Sequence, residues 1–78
     1  MEKITIYTDF LKLQQFLKLA HVVGQGSDAK LIIQEGMVKV NGEVCLMRGK
    51  KIYDGDIIEV EDEGVFMAVA ENSPRLPF

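Results

Sequence analysis

The sequence predicts an α+β domain in which a two-helix hairpin packs on a small, mainly antiparallel sheet of four to five short strands. Three observations predict it. Apolar residues recur every three or four positions from Phe10 to Ala20 and again from Ala29 to Ile33, the spacing of a helix face. From Met37 onward the apolar period falls to two, the spacing of a half-buried strand. Turn signals, Asn41-Gly42, Asp54-Gly55 and Asp62-Glu63-Gly64, divide that second half into short runs.

Taken in order, Lys3-Ile4-Thr5-Ile6-Tyr7 alternates polar and apolar and is rich in β-branched and aromatic types, which predicts a first strand. Thr8 or Asp9 is the expected N-cap of helix one, because a short side-chain oxygen accepts from the free amides of a first turn. Phe10, Leu13, Phe16, Leu17 and Ala20 form the inward stripe; Gln14, Lys18 and His21 lie opposite, with Lys12 and Gln15 on the flank. Gly24-Gln25-Gly26 ends that helix, and Ser27 is the expected cap of a second, running from Asp28 to Glu35 with Ala29, Ile32 and Ile33 inward. Gly36 stops it by taking the left-handed conformation. Met37 to Val40 and Glu43 to Met47 then read as a hairpin about Asn41-Gly42, whose two positions tolerate positive φ. Arg48-Gly49-Lys50-Lys51 is a basic connection. Asp56 to Glu61 and Val65 to Ala70 are the last strands, the final one a partner for residues 3–7.

Composition narrows the function. An apolar content of 47% with 27% charged residues describes a folded chain, and 78 residues make one small domain, expected over residues 1–72 with a loose tail at 73–78 around Pro74 and Pro77. A single cysteine, Cys45, excludes an internal disulfide framework and a four-ligand Cys/His metal site. No stretch of about 18 apolar residues is present, and the alternating N-terminus lacks the hydrophobic core of a signal peptide, so the expected location is the cytoplasm. One His, one Cys and two Ser assemble no nucleophile–base pair, so neither catalysis nor a cofactor is expected.

The net charge of −3 is unevenly spread: residues 12–51 carry +4 and residues 52–78 carry −6. Such asymmetry points to an anionic partner for the basic part, or to a solvated surface with unevenly placed charges. Three features could serve an anion. Gly24-Gln25-Gly26-Ser27 leads into helix two, where free amides attract phosphate and Lys30 follows in the first turn; Asp28 opposes this, and an ordinary capped turn is the other reading. Lys39 with Arg48, Lys50 and Lys51 supplies point charges and one bidentate guanidinium, or else a solubilising loop. Lys12 and Lys18 lie on the exposed side of helix one. Tyr53 is available to stack on a base or to pack, and Asp54 and Asp56 shape a turn.

The order of two helices, then Glu35-Gly36-Met37-Val38-Lys39-Val40-Asn41-Gly42, a basic loop and Asp54-Gly55-Asp56-Ile57-Ile58 closely resembles the alpha-L RNA-binding motif of the ribosomal protein S-four type. Phe16-Leu17-Lys18 and Ala29-Lys30 match the same pattern, and the short length resembles the stand-alone bacterial proteins of the YaaA/YbcJ type. The resemblance covers about residues 8–61 and implies a non-catalytic module for structured RNA, ribosomal or transfer RNA, with ribosome-associated proteins as further partners. Carried over by position, it implies contacts from Lys18, Gln25, Ser27, Lys30, Lys39, Asn41, Arg48, Lys50 and Lys51, beside Lys12 on helix one. The chain departs from the pattern twice. Lys12-Leu13-Gln14 stands where many members have Arg-Leu-Asp, and Gln25-Gly26-Ser27-Asp28 where many have Ser-Arg. Those losses imply weaker binding, a different RNA or another ligand. Two competing readings follow: a protein-interaction adaptor on the same scaffold, and a sulfur-carrier-like β-grasp protein, which needs a C-terminal Gly-Gly where this chain has Leu76-Pro77-Phe78.

Overall fold

Five strands form one mixed sheet, and two further strands, β2 (Phe10–Lys12) and β5 (Lys51–Tyr53), form a separate ribbon, as seen in a computed structural model. It describes residues 1–24 and 26–71; Gln25 and the tail expected at 73–78 lie outside the described residues. The large sheet comprises β1 (Glu2–Ile6), β3 (Val38–Val40), β4 (Glu43–Val44), β6 (Ile57–Val60) and β7 (Gly64–Ala70), in the spatial order β1-β7-β6-β3-β4. Every pairing in it is antiparallel except β1 with β7, which is parallel and aligns Ile4 with Ala68 and Ile6 with Ala70. The period-two pattern sorts its two faces. Ile4, Ile6, Val38, Val40, Ile58, Val60, Phe66 and Ala68 are buried, while Lys3, Lys39 and Glu59 stay at the surface.

The helices α1 (Leu13–Leu19) and α2 (Gly26–Gln34) pack on each other and add Leu13, Phe16, Leu17, Ala20, Ala29 and Ile33 to the same core. Full burial of Phe16 alone contributes about 1.5–3 kcal/mol to the core. Both helices end in the same way. Gly36 takes φ 79°, its amide donates to Ile33 and the Met37 amide donates to Ile32. His21 takes φ 63°, its amide donates to Lys18 and the Val22 amide donates to Leu17. These paired bonds satisfy last-turn carbonyls that a helix otherwise leaves without donors. The β3–β4 hairpin turns on Asn41 (φ 52°) and Gly42 (φ 89°), the expected left-handed pair.

The structure corrects the start of helix one. Phe10–Lys12 is not helical but forms strand β2, paired antiparallel with β5 (Lys51–Tyr53). The Thr8 hydroxyl donates to the Phe10 carbonyl at 2.6 Å instead of accepting from a first-turn amide. Lys12 is the N-cap, and lysine has no side-chain acceptor to offer. Two backbone carbonyls of the 48–50 segment replace it: Leu13 donates to Lys50 at 2.8 Å and Gln14 to Arg48 at 3.1 Å. The Gln15 Oε1 accepts from the Lys12 amide, closing the turn. Strand pairing and borrowed carbonyls thus meet needs that a longer helix would have met internally. Helix two begins at Gly26, so Ser27 lies within its first turn and is not its cap. The predicted strand from Glu43 to Met47 ends at Val44, although the Cys45 amide still donates to Val38.

Candidate nucleic-acid interface

The β2–β5 ribbon sets two of the candidate cations, Lys12 and Lys51, opposite each other. Its register sets Phe10 opposite Tyr53, Leu11 opposite Ile52 and Lys12 opposite Lys51. Side chains alternate along each strand, so Leu11 and the fully buried Ile52 face the core. Phe10, Lys12, Lys51 and Tyr53 share the outer face. Lys51 Nζ lies 4.9 Å from the centroid of the Phe10 ring, a cation–π contact, and the Phe10 and Tyr53 rings are 5.7 Å apart at 46°.

The 48–50 segment docks beside the ribbon through the two carbonyls that cap α1. It is a tight turn, closed by the Lys50 amide donating to the Met47 carbonyl at 3.1 Å, with Arg48 and Gly49 at its corners. Arg48 and Lys50 are therefore tied by backbone bonds to residues 13 and 14, next to the Lys12–Lys51 pair. All four cations are exposed, and the first turn of α1 carries no acidic residue to offset them. Lysines directly opposite each other across a ribbon repel. The Phe10 contact offsets this at Lys51, and Lys12 has no such aromatic contact among the described residues.

The remaining candidates are placed differently. Lys39 sits on the outer face of the large sheet with Glu59 as its neighbour in register on β6. Lys18 borders a surface groove with Tyr7, Leu11, Gln15 and Leu19. Lys30 and Asp28 are exposed on α2. Gln25 lies outside the described residues, as does the Ser27 side chain. Asn41 is engaged in the fold itself: its Nδ2 donates to Asp56 Oδ1 at 3.1 Å and its Oδ1 accepts from the Ile57 amide at 2.9 Å. Asp56 Oδ2 accepts from the Tyr53 amide, and Asp54 Oδ1 accepts from the Ala70 amide, so both carboxylates shape the turn as the sequence indicates.

Sequence reasoning missed Phe10 as a member of this face, because its spacing also suits the helical stripe. The signal lay in a mirrored pair of tripeptides: Phe10-Leu11-Lys12 and Lys51-Ile52-Tyr53 superpose aromatic on aromatic and cation on cation when run antiparallel.

Among the described residues no group of His, Cys, Asp and Glu is arranged to hold a metal ion, and no helix is long and apolar enough to cross a membrane. Comparison with known proteins gives two findings. Residues 4–67 match the family described as the S4 domain. Over 66 residues the chain is 46% identical to a protein of Bacillus subtilis (strain 168) named as a probable ribosome maturation protein, RlbA, covering 85% of this chain and 93% of that protein.

Proposed function

The chain belongs to the S4-domain family, and from that premise we propose that it is a non-catalytic, ribosome-related RNA-binding module. It recognises structured RNA, ribosomal or transfer RNA, through phosphate and 2′-hydroxyl contacts. The observation that carries this reading is the Lys12–Lys51 pair across the exposed face of the ribbon, with Arg48 and Lys50 tied beside it by the backbone bonds that cap α1. Duplex RNA hides its base edges in a deep, narrow groove and displays phosphates and 2′-hydroxyls, which suits a fixed patch of cations better than a base-reading helix. The named role of the Bacillus relative supports a ribosomal RNA target. The arginines absent from helix two are offset in this reading by the ribbon cations and Arg48.

Binding of ribosomal RNA fragments, compared with DNA duplexes of the same sequence, tests it. The expected result is tighter binding to RNA, lost when Lys12, Arg48, Lys50 and Lys51 are changed together to Gln with the circular dichroism spectrum unchanged. Undiminished affinity in that variant would refute the reading.

One observation favours a protein contact as a second role. Val44, Leu46 and Met47 are 53%, 60% and 63% exposed beside the edge strand β4. A protein partner recovered after nuclease treatment, and lost on changing Val44 and Leu46 to Ser, would support it. Recovery that depends on intact RNA would count against it.

A further inference from the structure

The aromatic half of the β2–β5 ribbon has a use that the phosphate contacts do not absorb. We infer that Tyr53, backed by Phe10, forms a stacking platform for one unpaired nucleobase, whose phosphate is held two residues along by Lys12 and Lys51. This rests on the RNA reading above and extends it to a ligand feature, an unpaired nucleotide within or beside a duplex.

Four observations carry it. Tyr53 is 47% exposed on the outer face of a ribbon whose inner face is occupied by Leu11 and Ile52, so its ring is not required to fill the core. The Phe10 ring stands 5.7 Å from it and backs it from the opposite strand. Lys51, 4.9 Å above Phe10, covers that ring and leaves Tyr53 as the open surface. The two ends of the face also differ in charge. The cation end holds Lys12 and Lys51, whereas the aromatic end adjoins Asp9 and Asp54, with Asp56 hydrogen-bonded to the Tyr53 amide. A phosphate would be repelled at the aromatic end; an uncharged flat ring would not. Residues two apart on a strand are separated by about 6.6 Å, a distance one nucleotide bridges between its base and a backbone phosphate. Base–aromatic stacking is sequence-tolerant, because every base presents a π face.

The test uses an RNA hairpin carrying a single-nucleotide bulge and the same hairpin without it. The whole protein and its Tyr53→Phe variant are expected to bind the bulged hairpin about 5- to 150-fold more tightly, the range that one base–aromatic stack spans. Tyr53→Ala is expected to lose that preference while keeping its affinity for the paired hairpin. Tyr7 and Tyr53 are the two tyrosines and the chain has no tryptophan. In a Tyr7→Phe background, Tyr53 fluorescence should therefore be quenched by the bulged hairpin and little changed by the paired one. Equal binding of both hairpins by the whole protein, or unquenched Tyr53, would overturn the platform while leaving the RNA module standing. Binding to neither hairpin would overturn both. Should Tyr53→Ala fail to fold, the preference of the whole protein and the fluorescence response decide the matter.

Discussion

His21 holds a conformation that glycine usually occupies. At φ 63° it closes α1 with the same bond pattern that Gly36 provides for α2. An L-residue in the left-handed region carries a cost of roughly 1–2 kcal/mol, part of which glycine returns as greater entropy of the unfolded chain. His21→Gly is therefore expected to stabilise the domain by up to about 1 kcal/mol, read as a higher urea midpoint at unchanged slope. A lower midpoint would mean that the imidazole contributes something beyond its backbone. Asn41 is the opposite case. It combines a left-handed φ of 52° with side-chain bonds to Asp56 and to the Ile57 amide. Asn41→Ala should cost about 2–3 kcal/mol, because it removes both bonds and strains the turn. Asn41 and Asp56 are bonded to each other, so their alanine variants should not be additive; a double-mutant cycle summing within about 0.3 kcal/mol would contradict the shared network.

At the scale of elements, the ribbon and its docked turn show which features serve stability and which do not. Gly49 lies in the turn that caps α1, has no positive φ, and a methyl group built there meets nothing within 4 Å. Gly42 has equal space but sits at φ 89°. Gly49→Ala should be neutral or stabilising by about 0.4–1 kcal/mol, whereas Gly42→Ala should destabilise by at least about 1 kcal/mol. Thermal melts of the two variants separate conformational strain from space, and similar shifts in both would refute the distinction. The Lys12–Lys51 pair predicts a trade-off. Lys12→Gln removes repulsion across the ribbon and should raise the melting temperature of the free protein at low salt, by an amount that fades as salt screens it. The same change should weaken RNA binding. A variant weaker in both respects would show that Lys12 supports the ribbon itself.

At the scale of the molecule, a domain of net charge −3 is expected to bind a polyanion only through a face where cations are gathered locally. Affinity for duplex RNA should then fall with salt along a log–log slope of about −3 to −4, the value for four phosphate contacts, and each ribbon lysine changed to Gln should reduce it by about 0.7–0.9. A slope near zero would remove the electrostatic basis of the interface.

Much of the architecture was legible in the chain because local chemistry specifies it. The helical stripes, the Asn41-Gly42 hairpin, the Gly36 stop and the alternation of β6 and β7 each follow from periodicity or from turn stereochemistry within a few residues. The cations were legible as an inventory, and the S4-type order of motifs anticipated the family to which the chain belongs. What only the tertiary structure decided is that Phe10–Lys12 is a strand, that its partner is Lys51–Tyr53, and that carbonyls of Arg48 and Lys50 stand in for a missing cap. The reason is physical. Phe10, Leu13 and Phe16 satisfy a helical spacing, but a three-residue strand depends on a partner distant in sequence, and the mirrored tripeptides identify that partner only once the fold has brought the two segments together.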